Sequence, residues 1–269
     1  DYRVCLRKIR SVIGLMKKVY PAAETERLKV QWGNLTRATN RLRDLDVYLL
    51  EEKTCRALLP DPLSGGLDAF FDQMREERGR EWEQVGRHLR SPGYREKMEA
   101  LDAFFSGPDR SMPSACSQQP IQGLASRLFD MRYRSMIRAN EELVDTSPDE
   151  KFHDLRIQGK KLRYMLEFFR EIYDPDPLAP LLKSLRRVQN RLGRFNDCAV
   201  QQEVLMAWLE QTRASRTWEE TAAVGGLVTW LHQREPEERQ KAREALSRFG
   251  RPAIRKRFET IFKSKTASA

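Results

Sequence analysis

The sequence lacks most of the features that mark familiar classes of protein. No apolar run approaches the roughly 20 residues that a membrane-spanning helix needs, and no signal peptide is visible, so we expect a cytoplasmic protein without a membrane partner. The alternation of apolar and polar residues that is typical of strands is almost absent. Glycine and proline number only 14 and 13 in 269 residues, which excludes collagen-like and linker-like chains.

Cysteine and histidine are too few and too scattered to form a recognisable site. The four cysteines form no CxxC pair, so we expect free thiols in a reducing compartment rather than a disulfide framework. The three histidines show no zinc-type spacing. A Gly-rich phosphate loop and a nucleophile elbow are also absent. The sequence therefore predicts no metal, no cofactor and no catalytic residues, which favours a binding protein over an enzyme.

Basic charge is what the chain does contain. Lysine and arginine number 49 against 39 acidic residues, which gives a net charge of +10 and a pI near 9.6. An excess of this size favours an anionic partner such as nucleic acid, an acidic membrane surface or polyphosphate. It carries no information about the fold.

The spacing of apolar residues predicts helices almost everywhere, and therefore an all-α fold. Ser147 is expected to cap one of these helices, with Pro148 at its first position. A Ser- and Pro-rich stretch without periodicity predicts a linker at 107–118 between repeat unit one (1–106) and repeat unit two (119–269). The predicted helices are about 2–19, 24–58, 66–90, 94–106, 119–145, 148–173, 177–213, 216–234, 236–249 and 252–263.

An internal repeat is the most informative feature of the sequence. A shift of 153 positions, without gaps, places Arg3 on Arg156, Arg10 on Arg163 and Asp44 on Asp197. Because two unrelated amphipathic helices would not keep one register across a turn, we interpret the repeat as a duplication.

Basic residues form columns on the repeated helices, because positions three, four and seven apart lie on one helical face. The four columns are Arg3, Arg7, Arg10 and Lys17; Asn34, Arg37, Arg41 and Asp44; His153, Arg156, Lys160, Arg163 and Arg170; and Arg187, Asn190, Arg194 and Asp197. We predict that the basic residues and His153 bind the anion, and that Asn34, Asp44, Asn190 and Asp197 support them. For His153, hydrogen bonding to a neighbouring helix is the alternative role.

The net charge is concentrated in these helices. Segments 1–21, 28–50, 153–174 and 175–200 together carry +11, against +10 for the whole chain. A single column of arginines is usually a solvated helix face, but its recurrence in two copies favours a binding surface. The five tryptophans occupy helical apolar positions and are expected in the core, whereas nucleic-acid binders often expose aromatic residues for stacking.

Two motifs, each present twice and in the same order, resemble those of the CHAD family, the conserved histidine α-helical domains. The first motif is His153-Asp154-Leu155-Arg156-Ile157 with Lys160-Lys161-Leu162-Arg163, and the second is Leu192-Gly193 with Asn196-Asp197 and Val200. In the first half, Asp1-Tyr2-Arg3-Val4 and Arg43-Asp44-Leu45-Asp46-Val47 match the same motifs. Arg43 replaces Asn196 there, and Thr39-Asn40 replaces the Leu-Gly step.

This resemblance implies a fold and a function. It implies one CHAD-like domain over 1–269, built from two four-helix units that a pseudo-twofold axis relates, with a basic central cleft or pore. It also implies binding of inorganic polyphosphate and association with polyphosphate granules. No ExExK motif is found, so we expect a stand-alone member without a triphosphate tunnel domain. The alternatives are a helical nucleic-acid-binding protein and a polyphosphate-processing enzyme.

Overall fold

The computed structural model describes residues 2–15, 21–106, 120–211 and 216–263, and within them it contains helices and no strand. The all-α prediction is therefore confirmed. Short 3₁₀ turns occur at Gly65–Leu67 and Arg170–Ile172. The α-helices are α1 Tyr2–Leu15, α2 Ala22–Arg37, α3 Asn40–Ala57, α4 Asp61–Ser64, α5 Asp68–Arg90, α6 Pro92–Ser106, α7 Ile121–Glu141, α8 Asp149–Phe168, α9 Pro175–Gln211, α10 Trp218–Phe249 and α11 Pro252–Lys263.

Proline residues set the starts of four helices. Pro21, Pro60, Pro120 and Pro148 each directly precede a helix and hold an extended ψ between 126° and 157°. The predicted cap at Ser147 is wrong, because its Oγ instead accepts a hydrogen bond of 3.0 Å from the backbone N–H of Val144. Pro148 accordingly lies before the first turn of α8 rather than within it.

The helix predicted at 24–58 is interrupted at residues 38 and 39, and the prediction of one helix is wrong. In a continuous helix the carbonyl of Thr36 would accept the N–H of Asn40. Here that carbonyl lies 3.1 Å from Thr39 Oγ1 and 3.5 Å from Arg3 Nη1, which both donate to it. Contacts from α1 therefore stabilise the break between α2 and α3.

The break predicted near Pro236 is also wrong, since α10 continues through this residue. Contacts with other side chains hold the chain on both sides of the proline. Glu235 accepts a hydrogen bond of 2.9 Å from Gln202 of α9. Glu238 is buried and lies 3.1 Å from Lys241 Nζ. These contacts offset the one backbone hydrogen bond that proline removes.

The chain divides into two compact units that do not follow chain order. Unit 1 comprises 1–117 with 203–230, and unit 2 comprises 118–202 with 231–269. The end of α9 thus belongs to unit 1, where the Trp208 ring lies 5.4 Å from Phe70 and its Nε1–H donates to Gln73 at 2.8 Å. The start of α10 belongs there too, because only a glycine at position 66 leaves room for the backbone of Glu219. The linker predicted at 107–118 lies outside the described residues.

Each unit has its own core. In unit 1, the buried cluster contains Leu6, Ile13, Leu28, Trp32, Leu35 and Leu101. In unit 2, aromatic side chains of α7, α10 and α11 fill the interior, and the rings of Tyr133 and Phe258 stack at 3.9 Å. Burial of such side chains contributes about 1.5–3 kcal/mol each. No helix in the described ranges combines the length and apolar content that crossing a bilayer requires.

The tryptophans do not all lie in the core. Trp32 and Trp208 are each 5% exposed, as predicted, but Trp82 and Trp218 are 62% and 70% exposed. The prediction of core packing is wrong for these two. Trp82 lies on α5, where the guanidinium of Arg78 is 5.7 Å from its ring centroid, so a cation rather than apolar neighbours covers part of its face.

Candidate anion-binding surfaces

Each compact unit carries one of the basic surfaces that the repeat predicts. The unit 1 surface lies on α1, α2 and α3, and the unit 2 surface lies on α8 and α9. Lys17 falls outside the described residues. We define the unit 1 surface as Arg3, Arg7, Arg10, Asn34, Arg37, Arg41 and Asp44, and the unit 2 surface as His153, Arg156, Lys160, Arg163, Arg187, Asn190, Arg194 and Asp197.

The first turns of α8 contact the middle of α9 in the unit 2 surface. Nδ1 of His153 lies 2.9 Å from Oδ1 of Asn196, and a guanidinium nitrogen of Arg156 lies 4.0 Å from a carboxylate oxygen of Asp197. Nδ1 of His153 donates this hydrogen bond to Oδ1 of Asn196 when Nδ1 carries the proton. The two sequence motifs of the second repeat therefore meet in space, and the hydrogen bond of His153 to a neighbouring helix is present.

Two arginines of α8 are partly buried and incompletely paired. The Nε atoms of Arg156 and Arg163 are buried and have no hydrogen-bond partner among the described residues. Only 20% of the Arg156 side chain is exposed. The guanidinium of Arg163 lies 5.0 Å from the ring centroid of Tyr164. These Nε atoms have essentially no accessible surface, so an external anion would have to contact the terminal nitrogens of the two guanidinium groups.

A glycine permits the close packing that brings α8 to α9. A Cβ atom at Gly159 would lie 3.3 Å from Nε2 of Gln189 on α9 and 3.3 Å from the methyl carbon of Met136 on α7. Gly159 lies one position before Lys160. The basic residues of α8 therefore lie on a helix that packs closely against both α7 and α9.

The exposed part of the unit 2 surface comes from α9. Arg187, Asn190 and Arg194 are exposed, and the side chains of both arginines have no ion-pair partner among the residues described. Their guanidinium groups thus keep all their donors available. Asp197 follows Arg194 by one helical turn, and its carboxylate orients Arg156 rather than Arg194.

The C-terminal end of the α8 column differs from the prediction. The helix ends at Phe168, so Arg170 lies in the following 3₁₀ turn rather than on the same helical face. Arg170 is exposed and lies 4.0 Å from Glu171. Glu167, which precedes this end, accepts a hydrogen bond of 3.0 Å from Arg186. The charge at this end is therefore partly neutralised, and the unpaired positive charge lies nearer to Arg163 and Arg194.

Arg3 is a structural link in the unit 1 surface. Its guanidinium donates to Oγ1 of Thr39 at 2.6 Å and to Oδ1 of Asn40 at 2.9 Å. Burial, followed by the charge of Arg7, lowers the pKa of the Arg3 guanidinium, and the charge of Asp44 acts in the opposite direction. Most N–H donors of the Arg3 guanidinium are thus hydrogen-bonded within the protein. These bonds hold the turn between α2 and α3 against α1.

The remaining basic residues of α1 face outward. Arg7 is exposed, and its Nε–H donates to the carbonyl of Arg3 at 3.3 Å. Arg10 is exposed, and its side chain pairs with no other residue that the structure describes. Arg10 is therefore the α1 cation with the most free donors.

Arg37 and Arg41 lie on different helices because of the break at residues 38 and 39. Arg37 donates to the side chain of Asn34 on α2. Arg41 forms a two-pronged ion pair with Glu77 of α5, with both N–O distances at 2.6 Å. The hydrogen bond that Arg41 donates to Glu77 is the largest cause that raises the pKa of Arg41. The second-repeat counterpart of Arg41, Arg194, has no such carboxylate in the part of the chain that the structure describes.

The repeat is visible in the contacts as well as in the sequence. Arg156 contacts Asp197 in unit 2, and Arg3 is influenced by the charge of Asp44 in unit 1, which are the positions related by the shift of 153. The sequence did not reveal the ion-pair partners, Glu77 for Arg41 and Arg186 for Glu167. No local sequence pattern predicts these partners, because they are 36 and 19 positions away.

Comparisons with known proteins agree with these observations. A family model described as the CHAD domain matches residues 1–206. None of the curated proteins matches the chain. Among solved structures, the chain is similar to the CHAD domain from the plant Ricinus communis, with a TM-score of 0.70 and 23% sequence identity. That alignment covers 96% of this chain and 80% of the plant chain, and at this identity it shows the shared fold.

Proposed function

We propose that this chain, which belongs to the CHAD domain family, binds inorganic polyphosphate through its two basic surfaces and acts as a binding protein rather than an enzyme. The observation that carries the proposal is in unit 2. There Arg187 and Arg194 are exposed on one face of α9, and neither has a carboxylate partner among the described residues.

The chemistry of polyphosphate suits such a surface. Polyphosphate is a flexible chain with about one negative charge per phosphorus, and it has no base edges that could be recognised. A protein that binds it needs many donors at regular spacing. Residues three or four apart on a helix lie about 5–6 Å from each other, and arginine offers two parallel N–H groups to phosphate oxygens. Columns of arginine and lysine on adjacent helices meet this requirement.

His153 offers one ring nitrogen to the unit 2 surface. Its Nδ1 is engaged with Asn196, so Nε2 is the nitrogen that can face a ligand. An imidazolium donates from both ring nitrogens, so the protonated ring can bind a phosphate oxygen through Nε2. In a cell, binding would direct the protein to polyphosphate granules.

The direct test is a titration with long-chain polyphosphate at roughly 150 mM salt, where weak nonspecific phosphate binding is largely screened. We expect Arg187→Glu/Arg194→Glu to weaken binding by at least about tenfold, because two charge-assisted contacts become repulsive. Arg10→Glu should weaken binding through the unit 1 surface. The matched control is Arg95→Glu/Lys97→Glu on α6, which makes the same change in charge at exposed positions.

Two outcomes of that titration would sink the proposal. Equal weakening by the control would mean that net charge, not these surfaces, determines affinity. Normal binding by Arg187→Glu/Arg194→Glu, with circular dichroism showing a folded protein, would mean that the ligand binds elsewhere. Turnover of polyphosphate in the presence of magnesium or manganese would instead reveal an enzyme.

Nucleic-acid binding is the second candidate, and one observation favours it. Trp82 is 62% exposed beside Arg78, and an exposed aromatic ring next to a cation can stack on a base. Competition separates the two functions. If RNA displaces polyphosphate at equal phosphate concentration, and if Trp82→Ala weakens only the RNA, unit 1 is a nucleic-acid surface. If RNA competes poorly and Trp82→Ala changes nothing, polyphosphate is the ligand.

A further inference from the structure

Unit 2 contains a cavity whose lining residues differ from those of the unit 2 surface. It has a volume of about 740 Å³ and lies between the end of α7, the loop that follows it, and the corner where α10 meets α11. None of the residues that define the unit 2 surface lines it. Four of its lining residues are arginines, namely Arg243, Arg248, Arg251 and Arg255.

Carboxylates hold three of these arginines in place. Arg243 pairs with Asp145 of the loop, Arg255 pairs with Glu141 at the end of α7, and Arg248 lies 3.6 Å from Glu244. Asp145 and Glu244 also line the cavity, so the four arginines exceed its lining carboxylates by two charges. Nε–H of Arg255 also donates to the carbonyl of Gly250 at 2.8 Å. A guanidinium has five N–H donors, so a single carboxylate leaves several of them unused. These side chains are positioned in advance and still able to bind an anion.

The fourth arginine completes the cavity. Arg251 is exposed at the corner between α10 and α11, and its side chain has no partner in the part of the chain that is described. The corner itself is tied to α7, because Nδ2 of Asn140 donates to the carbonyl of Leu246 at 3.3 Å. Gly250 permits this approach, since a Cβ atom there would lie 3.2 Å from Nδ2 of Asn140. The cavity wall is therefore a fixed part of unit 2.

The net charge of the whole chain does not reveal the positive charge of the segment that forms the cavity. Residues 239–263 contain nine lysines and arginines against two glutamates, although the chain outside the repeated helices sums to nearly zero. The region also lies beyond residues 1–206, which the CHAD model matches. The basic part of the cavity thus lies outside the repeated helices and beyond the residues that the family model matches, although the alignment with the plant CHAD domain covers 96% of the chain.

A second, smaller cavity adjoins the first. Its volume is about 380 Å³, and Arg255 lines both cavities. Tyr133, Ile137 and Phe258 form the apolar floor of this cavity but are only 5%, 5% and 1% exposed, and Asp130, Glu141 and Glu259 also line it. An organic group attached to phosphates at the four arginines would therefore reach a neighbouring cavity with a small apolar floor. A volume of this order is typical of sites for small ligands.

We propose that the larger cavity binds a small ligand with two or three linked phosphate groups, independently of the polyphosphate surfaces. Four arginines can donate to several phosphate oxygens at once, whereas a single phosphate would use only part of the cavity. The shared chemistry is the di- or triphosphate group, which either an inorganic triphosphate or a nucleoside triphosphate supplies. The neighbouring apolar cavity distinguishes these two sources, because only the nucleotide has an organic group to place there.

The test is calorimetry of the full chain with inorganic triphosphate, ATP and AMP at roughly 150 mM salt. We expect triphosphate or ATP to bind, AMP to bind at least about tenfold more weakly, and Arg248→Glu/Arg251→Glu to weaken the tighter ligand by at least about tenfold. ATP binding more tightly than triphosphate would identify the nucleotide as the ligand, and the reverse would identify the inorganic anion. The matched control is Lys256→Glu/Arg257→Glu, which changes the same charge at exposed positions of α11 that do not line the cavity.

Three results would overturn the proposal. The first is that neither triphosphate nor ATP binds the unaltered protein at millimolar concentration. The second is that the control weakens binding as much as Arg248→Glu/Arg251→Glu. The third is that Arg187→Glu/Arg194→Glu abolishes binding of triphosphate while the cavity variant leaves it unchanged, because the small ligand would then use the polyphosphate surface. Polyphosphate binding by the cavity variant provides the check that unit 2 is folded.

Discussion

The imidazole of His153 and the side-chain amide of Asn196 are joined across α8 and α9, with 2.9 Å between Nδ1 and Oδ1. The two residues are 43 positions apart and belong to different sequence motifs. The contact fixes the N-terminal part of α8 against the middle of α9. It also leaves Nε2 as the nitrogen of His153 that can meet a ligand, so one residue serves both packing and the proposed binding surface.

A double-mutant cycle on His153 and Asn196 measures this contact. His153→Ala, Asn196→Ala and the double variant should show a coupling energy of about 0.5–1.5 kcal/mol in urea unfolding, which is the usual net worth of a hydrogen bond. A coupling near zero would show that the two side chains do not interact in solution.

The fold was predictable from sequence to the extent that local pattern determines it. Apolar spacing gave the helices, and the shift of 153 positions gave the repeat. The break between α2 and α3 was not predictable, because Arg3 stabilises it from 33 positions away. The continuation of α10 through Pro236 likewise depends on contacts made by Gln202, which lies on another helix. Tertiary contacts override local signals in both cases.

The positions of the basic residues in the candidate site were predictable, but their ion-pair partners were not. The columns on α1, α8 and α9 place arginines at the surface as the spacing implies. Which of them keep free donors depends on carboxylates elsewhere in the chain, as Arg41 and Glu77 show. The exposure of Trp82 was missed because apolar periodicity cannot tell a core-facing position from one that a nearby Arg78 covers. The positive charge near the end of α10 and on α11 does not appear in the near-zero sum outside the repeated helices, because acidic residues elsewhere balance it.

The packing of α8 against its neighbours depends on Gly159 and not on Gly193. Gly159→Val should destabilise the protein by about 1–3 kcal/mol, because overpacking a tight contact forces the neighbours to move, and the added Cβ would lie 3.3 Å from Gln189 and Met136. Gly193→Val is the matched control, since nothing lies within 4 Å of a Cβ at that position. Its effect should stay within about 0.5 kcal/mol of zero. Equal destabilisation by both variants in thermal or urea unfolding would contradict the packing argument.

The buried phenol of Tyr133 makes stability depend on alkaline pH. Burial raises the pKa of Tyr133 from its ordinary value of 10.0 to about 12, and the residue is 5% exposed. The unfolded chain therefore loses this proton at a lower pH than the folded chain. The stability that Tyr133 contributes is present below pH 10 and is lost as the pH rises towards 12, by roughly 2–3 kcal/mol in total.

Tyr133→Phe tests that assignment. The variant should lose less stability than the unaltered protein between about pH 9.5 and 12, with the difference growing by about 1.4 kcal/mol per pH unit inside the window. Urea unfolding at several pH values measures it. Other buried tyrosines make the unaltered protein lose stability as well, so the difference between the two proteins is the quantity to follow. Parallel curves for the two would place the titration elsewhere.

The ion pair between Arg41 and Glu77 should weaken polyphosphate binding by the unit 1 surface. Both carboxylate oxygens of Glu77 lie 2.6 Å from guanidinium nitrogens of Arg41, so the carboxylate already compensates the charge of Arg41. Glu77→Gln removes this competitor. We expect it to tighten polyphosphate binding about two- to tenfold and to steepen the dependence of affinity on salt by roughly one counterion, because one more cation then meets a phosphate.

Glu76→Gln on α5 is the control, because Glu76 is exposed and the change removes the same charge without releasing Arg41. It should raise the affinity by less than about twofold, since an exposed charge is largely screened at physiological salt. If the two variants bind equally well, the gain comes from net charge alone. If Glu77→Gln binds no better than the unaltered protein, Arg41 does not face the ligand. In that outcome the unit 1 surface would be limited to Arg7, Arg10 and Arg37.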